Sequence, residues 1–207
     1  LEEIIDFIKP GYIINCVGVI KQKNNSNDLD KELKYINSSL PKILSNIAEM
    51  REIKFIHFST DCVFNGELGN YTEKSISDAH DMYGKTKYEG EVFNKSALTL
   101  RTSIIGHELN SSVSLLEWFL SQDGGAVEGY SNAIFSGLPT CYVAEVLSKF
   151  IFGNDLTGIF HLSVDPIDKF TLLTKIATIY NKNISITKNS KFKIDRSLSS
   201  AKLKKET

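Results

Sequence analysis

Short apolar runs alternate with longer amphipathic stretches along the chain. Each apolar run is too short for a helix and rich in β-branched residues, which is typical of a buried parallel strand. The runs lie at residues 12–20, 53–59, 97–103 and 158–164. Apolar residues recur with helical spacing at residues 1–9, 31–49, 82–91, 114–122, 141–152 and 169–181. This alternation predicts parallel β-α units in an α/β fold with an open, doubly wound sheet.

Three stretches interrupt this pattern. Pro41 cannot continue a helix undisturbed, so we expect it to kink the helical stretch or to begin a new first turn. The polar tract at 21–30 is predicted to be a loop. The stretch EGYSNAIFSGLPT at 128–140 is also predicted to be a loop, either one that contacts a nucleotide sugar or an irregular one without such a role.

Length and charge narrow the class of protein. The chain has 207 residues without an internal repeat or linker, which predicts a single unit over 1–207. Its 24 Lys and Arg nearly balance 25 Asp and Glu, so we expect no nucleic-acid partner and no anionic membrane. No apolar run approaches a membrane span, and no signal peptide is recognisable. The three cysteines lack metal-ligand spacing, which predicts no metal site and reduced thiols in a cytoplasmic protein.

Small and polar side chains follow three of the predicted strands at their carboxyl ends, where parallel sheets bind ligands. They are the stretch 15–18 (NCVG), the stretch 59–61 (STD) and the pair at 102–103 (TS). Between the last two lies MYGKTKYEGE, residues 82–91, which places Tyr83 and Lys87 on one face of a helix.

Tyr83 and Lys87 carry little information by themselves. Eight tyrosines and 21 lysines in 207 residues predict about one Tyr-x-x-x-Lys by chance, and a solvated surface helix is the simpler alternative. Near a strand end with Thr60, the pair gains chemical meaning. A lysine ammonium within a few ångströms lowers the pKa of a tyrosine from its ordinary value near 10, which suits general acid–base catalysis. Thr60 could then hold a substrate oxygen beside the phenol.

An ordered set of sequence blocks resembles the extended short-chain dehydrogenase/reductases, and within them the dTDP-4-dehydrorhamnose reductase group. The blocks are FIHFSTDCVFNG, then MYGKTKYEGE with Tyr83 placed 23 residues after Thr60, then LRTSIIG. PGYIINCVG and GIFHLS stand where that family has its fourth strand and a late strand with a Gly-x-Tyr/Phe-His pattern. The resemblance covers nearly the whole chain in the same order.

The resemblance implies a Rossmann-like fold and an oxidoreductase that reduces a 4-keto nucleotide sugar with NADP or NAD as cofactor, in deoxysugar and surface polysaccharide biosynthesis. Tyr83 would protonate the ketone oxygen and Thr60 would bind it. Lys87 would hold the nicotinamide ribose and lower the pKa of Tyr83. The resemblance also implies cofactor contacts by Cys16, Val17, Gly18, Ser59, Ser103 and Ile104, and sugar contacts by Asp61, Cys62 and Val63. A homodimer is left open.

The sequence departs from the family pattern in one main respect. The family opens with a glycine-rich turn that binds the dinucleotide pyrophosphate, and this sequence has none. We therefore expect that roughly sixty N-terminal residues and a short C-terminal segment are missing. Residues 1–105 would then be an incomplete dinucleotide-binding core, and 106–207 a mixed substrate-binding lobe with returning core elements.

Two further functions stay open. The first is an epimerase or dehydratase that uses the same residues and recycles a bound NAD. The second is a non-catalytic binding or regulatory relative, since the scaffold of this reductase group also serves as a binding partner.

Overall fold

The computed structural model describes residues 1–20, 27–109 and 112–206. Its strands are β1 Tyr12–Asn15, β2 Lys54–Thr60, β3 Ala97–Thr102, β4 Ile104–Ile105, β5 Ala126–Phe135, β6 Leu138–Pro139, β7 Gly158–His161, β8 Ile167–Asp168 and β9 Ser185–Asp195. Its α-helices are α1 Glu2–Ile8, α2 Asn27–Lys34, α3 Leu40–Met50, α4 Met82–Glu89, α5 Leu115–Leu120, α6 Thr140–Val146, α7 Lys169–Ile179 and α8 Leu203–Glu206. Two π-helical turns span Tyr35–Ser39 and Leu147–Ile151, and a 3₁₀ turn spans Asp61–Val63.

The predicted parallel sheet is confirmed, with strand order β1-β2-β3-β7 and every neighbouring pair parallel. Side chains of β2 alternate between two apolar layers, as a strand buried on both faces requires. Phe55 packs on one face with residues of α1 and α3, including Ile5 and Leu44. Ile56 packs on the other face with residues of α6 and α8, including Val143 and Leu203. The sheet therefore lies between two helical layers.

The apolar run at 12–20 forms a strand only over Tyr12–Asn15, which is shorter than predicted. Further along this run, the buried side chain of Asn37 binds the backbone of Val19. Its Oδ1 accepts a hydrogen bond from the Val19 N–H and its Nδ2 donates one to the Val19 carbonyl oxygen, each at 2.9 Å. Asn37 thus satisfies both backbone groups of a residue that lies outside the strand.

The helical stretch before β2 runs on through Pro41, which lies in a new first turn, one of the two predicted alternatives. Pro41 lies in the first turn of α3, directly after the π-helical turn Tyr35–Ser39 that follows α2. Proline has no N–H and therefore interrupts the helical hydrogen bonds. Of the polar tract predicted to be a loop, residues 21–26 lie outside the described residues, and α2 begins at Asn27 within that tract.

A second sheet has the strand order β8-β5-β9, with β5 parallel to β9 and antiparallel to β8. The prediction of a loop at 128–140 is therefore wrong, because most of that stretch is strand β5. Strand β9 was not predicted at all. The sheet is covered on one side by α7, and its small core contains Phe119, Val127 and Leu173. We call residues 115–135 and 167–196 together the lobe.

Helices elsewhere match their predicted positions closely, including α1, α4, α5 and α7. No helix within the described ranges is both long and apolar enough to cross a membrane.

Candidate active site

The segments that follow β1, β2 and β3 leave the parallel sheet at one edge. Strands β2 and β3 end together, with Thr60 paired to Thr102, and β1 ends three residues earlier, with Asn15 paired to His57. The carboxyl edge of a parallel sheet is where ligands bind in α/β folds. The three polar strand ends that the sequence pointed to are therefore brought together here.

Helix α4 lies close to this edge and is fixed at both of its ends. At its start, the Asp81 carboxylate accepts a hydrogen bond from the Gly84 N–H at 2.8 Å, which caps the helix. A Cβ on Gly84 would lie 2.2 Å from the Cys62 carbonyl oxygen, so only glycine allows this approach to the turn after β2. At the other end, a Cβ on Gly90 would lie 1.9 Å from the carbonyl oxygen of Asn37.

Tyr83 and Thr60 lie next to each other at this edge and share a hydrogen bond. The pKa of Tyr83 is raised to about 12, first by burial and then by the neighbouring Cys62 and Asp61, whereas the hydrogen bond with Thr60 lowers it. The phenol therefore stays protonated at neutral pH. The Lys87 ammonium, which we expected to lower this pKa, is held by another group.

That group is the backbone of β2. Lys87 is only 4% exposed, and its Nζ donates a hydrogen bond to the Phe58 carbonyl oxygen at 2.6 Å. Burial lowers the pKa of Lys87 to about 8, while Glu91 and Cys16 act to raise it. A buried ammonium at the carboxyl edge of the sheet is a cation placed beside the loop that follows β1.

The loop after β1 comes within reach of Lys87. A Cβ added to Gly18 would lie 3.9 Å from Lys87 Nζ and 3.7 Å from Asn37 Oδ1. Asn37, whose side chain bonds to both backbone groups of Val19, holds this loop in place. Its Nδ2 also lies 3.3 Å from Thr86 Oγ1 on α4. Asn37 thereby fixes the loop to the helix that carries Tyr83 and Lys87.

The remaining predicted cofactor residues lie at the same edge. Exposed among them are Cys16, Val17, Gly18 and Ile104. Ser103 directly follows β3 and is half-buried, and its carbonyl oxygen accepts a hydrogen bond from the Leu138 N–H at 2.9 Å. Val63 differs from all of these, because its side chain is fully buried against Phe64, Tyr71 and Leu198. The expected contact of the Val63 side chain with a sugar is therefore not available in this fold.

Asp61 and Cys62 begin the 3₁₀ turn directly after Thr60. Thr60 Oγ1 donates to Asp61 Oδ1 and accepts from the Cys62 N–H, both at 3.2 Å. Burial raises the pKa of Asp61 and raises the pKa of the Cys62 thiol to about 12. These two side chains therefore face a site that is largely withdrawn from water.

Two cations from the lobe approach this turn, and neither was predicted from the sequence. Arg196 follows β9, and its Nη1 donates to Cys62 Sγ at 3.2 Å. Lys169 begins α7, and burial lowers its pKa while Asp61 and Cys62 raise it. Both residues are distant from Thr60 in the sequence, and only the packing of the lobe against the parallel sheet brings them here.

Sequence analysis also missed Glu91 and Arg101, which connect to the site through Ser59. Ser59 Oγ donates to Glu91 Oε1 at 2.7 Å. Arg101 binds the same carboxylate through both oxygens, Nε to Oε1 and Nη2 to Oε2, each at 2.7 Å. The Glu91 and Arg101 side chains are 0% and 3% exposed. The sequence signal that could have revealed this pair is a charged residue, Arg101, inside the buried strand LTLRT.

These side chains fit the nicotinamide end of NADP or NAD. Gly18 leaves the space beside the Lys87 ammonium free, and a side chain there would reach toward both Asn37 and Lys87. The exposed backbone of the loop and a buried cation together suit the hydroxyls of a cofactor ribose. In the part of the chain that the structure describes, no group of three His, Cys, Asp or Glu residues could hold a metal ion.

A parallel sheet with a Tyr-x-x-x-Lys helix at its carboxyl edge defines a Rossmann-like fold of the extended short-chain dehydrogenase/reductase type. The chain matches the RmlD substrate binding domain family over residues 1–166, and it belongs to that family. It is 29% identical over 174 residues to a dTDP-4-dehydrorhamnose reductase from Aggregatibacter actinomycetemcomitans, an overlap of 79% of this chain and 58% of the relative. The chain thus spans less than two thirds of that relative's length.

Solved structures share the fold at low sequence identity. A hypothetical dTDP-4-dehydrorhamnose reductase from Sulfolobus tokodaii superposes with a TM-score of 0.82 at 23% identity, over 100% of this chain and 77% of that chain. The dTDP-4-dehydrorhamnose reductase of Bacillus anthracis in complex with NADP gives a TM-score of 0.83 at 19% identity, over 98% of this chain and 76% of that chain.

Proposed function

We propose that the full-length protein reduces the 4-keto group of a nucleotide-linked deoxysugar with NADPH or NADH, in deoxysugar and surface polysaccharide biosynthesis. The observation that carries this proposal is the protonated Tyr83 phenol beside the Thr60 hydroxyl, with the buried Lys87 ammonium on the same helix. The names of the relative and of the two solved structures support the substrate class. The NADP in the Bacillus anthracis structure supports the cofactor.

In this reaction Tyr83 donates its phenolic proton to the ketone oxygen while the carbonyl carbon is reduced. Thr60 donates a hydrogen bond to the same oxygen, in place of the one that it now donates to Asp61. Two donors aimed at one oxygen stabilise the negative charge that develops there, and their burial strengthens the effect. The reduced nicotinamide supplies the hydride when the cofactor is bound.

We assign the parallel-sheet edge to the cofactor and the lobe side to the sugar nucleotide. Lys87 binds the cofactor ribose, and the nicotinamide end is lined by Cys16, Val17, Gly18, Ser59, Ser103 and Ile104. Asp61 and Cys62 face the sugar, and Lys169 and Arg196 border them from the lobe. This assignment follows the proposed division into a cofactor core at about 1–105 and a mixed lobe at about 106–207.

The test is NADPH consumption by the full-length protein with a dTDP-4-keto-6-deoxysugar. We expect one NADPH oxidised per sugar reduced, and a loss of about 100-fold or more for Tyr83→Phe, since a positioned proton donor contributes about that much. Tyr88→Phe is the matched control, because Tyr88 lies on the same helix but is 46% exposed.

Three outcomes would contradict the proposal. Equal rates for Tyr83→Phe and the unmodified protein would remove Tyr83 from the chemistry. Turnover without net loss of NADPH would indicate an epimerase or dehydratase. A stoichiometric partner on purification, combined with no turnover of any nucleotide sugar, would indicate a binding or regulatory protein.

A further inference from the structure

The end of α4 is attached to two consecutive residues of β2 by two charged side chains. Lys87 Nζ donates to the Phe58 carbonyl oxygen at 2.6 Å. Glu91, just beyond the helix, accepts a hydrogen bond from Ser59 Oγ at 2.7 Å. The next residue of β2 is Thr60. Tyr83, Lys87 and Glu91 thus follow one another at intervals of four residues, and they contact Thr60, Phe58 and Ser59 respectively.

Glu91 is itself held firmly. Arg101 of β3 binds both of its carboxylate oxygens at 2.7 Å, and the pair is almost completely buried. Arg101 also lies 3.4 Å from His161 Nε2 on β7 and over the ring of Phe64 at 5.2 Å. The Glu91 carboxylate is therefore held by Ser59 of β2 and Arg101 of β3, and Arg101 in turn reaches His161 of β7.

The groups that face Lys87 come from three elements. Cys16 lies on the loop after β1, His57 on β2, and Glu91 after α4. His57 is buried and its pKa is lowered to about 3, first by burial and then by Lys87, so it stays neutral near pH 7. Burial raises the pKa of the Cys16 thiol, which keeps it neutral as well. Among the groups on these three elements, Glu91 is therefore the one that places a negative charge near Lys87.

We propose that Glu91 is a positioning residue of the reductase site: it fixes Ser59, the residue before Thr60, and supplies the negative charge that stabilises the Lys87 ammonium. The proposal rests on the function proposed above, because it assigns Lys87 and Thr60 to that reaction. A purely structural role is the competing explanation, since a buried Glu–Arg pair strongly affects folding when one partner is removed.

The experiment follows the titration of Lys87 Nζ by NMR in lysine-labelled full-length protein, with the signal assigned by its loss in Lys87→Arg. In Glu91→Gln we expect the Lys87 midpoint to fall by about one pH unit or more, because the nearest negative charge is gone. Glu89→Gln is the matched control, since Glu89 is exposed at the end of α4 and accepts a hydrogen bond from Ser38 Oγ at 3.2 Å. In the Glu89→Gln variant the Lys87 midpoint is expected to stay unchanged.

Ser59→Ala separates the two parts of the role. It removes only the hydroxyl that bonds to Glu91, so Lys87 should titrate normally while kcat for sugar reduction falls several-fold. If Glu91→Gln does not fold, Glu91→Gln/Arg101→Gln removes both buried charges, and a smaller fall in the Lys87 midpoint is expected because the Arg101 cation is lost as well.

An unchanged Lys87 midpoint in the folded Glu91 variant, together with a lower unfolding midpoint, would overturn the proposal and leave a structural role. Sugar reduction by the unmodified protein is measured separately. If that reduction is absent, the proposed function fails, whereas the titration of Lys87 still decides whether Glu91 acts on it.

Discussion

The parallel sheet and the lobe sheet are stabilised in different ways. All six residues of β3 are buried, as are five of the seven in β2. In the lobe, four of the ten residues of β5 are buried and none of the eleven in β9. Burial of apolar surface therefore dominates in the parallel sheet. The lobe sheet depends more on backbone pairing and on α7 covering one side.

This difference matches the placement of the chemistry. Thr60, Tyr83 and Lys87 lie on or against the buried sheet, where their neighbours have little freedom to move. The lobe contributes Lys169 and Arg196 from the ends of its elements. The residues proposed for the chemistry, which need a fixed geometry, thus lie on the more buried region, and the groups proposed to border the sugar come from the more exposed one.

A pair of phenylalanine truncations tests the contrast most strongly. Phe55 in β2 is fully buried, so we expect Phe55→Ala to lower the free energy of unfolding by about 3–5 kcal/mol. Phe192 in β9 is 50% exposed and touches mainly the ring of Tyr130, so Phe192→Ala should cost about 1 kcal/mol or less. Urea unfolding of the two variants measures both values. Similar losses would show that the two sheets depend equally on burial.

Two asparagines give a second, smaller contrast. Asn37→Ala leaves the backbone N–H and carbonyl of Val19 without their partner and should cost about 2–3 kcal/mol. It should also weaken NADPH binding, because the loop at Gly18 loses its attachment. Asn132→Ala in β5 removes one exposed hydrogen bond to the Ser190 carbonyl oxygen and should cost about 0.5 kcal/mol or less. Unfolding midpoints and NADPH titrations check both variants, and unchanged NADPH affinity in Asn37→Ala would separate the loop from cofactor binding.

The same contrast explains how much of the fold was predictable. The strands of the parallel sheet are short apolar runs because both faces are covered, and such runs are visible in the sequence. Strand β9, with the sequence SITKNSKFKID, has no buried residue, so hydrophobic periodicity carries no signal for it. The Gly and Ser residues of β5 likewise favoured a loop. Only its pairing with β8 and β9 makes that stretch a strand.

For the site, local sequence was informative and distant sequence was not. Thr60, Tyr83 and Lys87 lie within one continuous block, and the structure brings that block together at the sheet edge. Arg196 and Lys169 reach the site only through the packing of the lobe, which the sequence did not predict. The pKa of Tyr83 could not be predicted either, because it depends on burial and on where the Lys87 ammonium points.

At Gly129 the lobe is packed as tightly as the parallel sheet, so a substitution there tests whether the two regions differ in packing throughout. A Cβ there would lie 2.8 Å from the Cα of Phe170 on α7 and 2.9 Å from Ile186 Cγ2 on β9. We expect Gly129→Ala to cost about 1–2 kcal/mol through overpacking. Gly11→Ala is the matched control, since a Cβ there meets no atom within 4 Å. A neutral Gly129→Ala, measured by thermal unfolding, would mean that α7 shifts easily over this sheet.

The smallest effect at neutral pH concerns the charge of Lys87. Its pKa of about 8 means that the ammonium is present below pH 8 and is lost above it. About nine-tenths of the side chains are then charged at pH 7, so little changes there, but NADPH affinity should fall about tenfold per pH unit above pH 8. Lys87→Arg keeps its charge throughout and should abolish this fall, although the guanidinium fits the site less well. Lys188→Arg on β9 makes the same change in the lobe and should leave the pH dependence as it is. A flat NADPH affinity between pH 7 and about 9.5 in the unmodified protein would show that cofactor binding does not use the Lys87 charge.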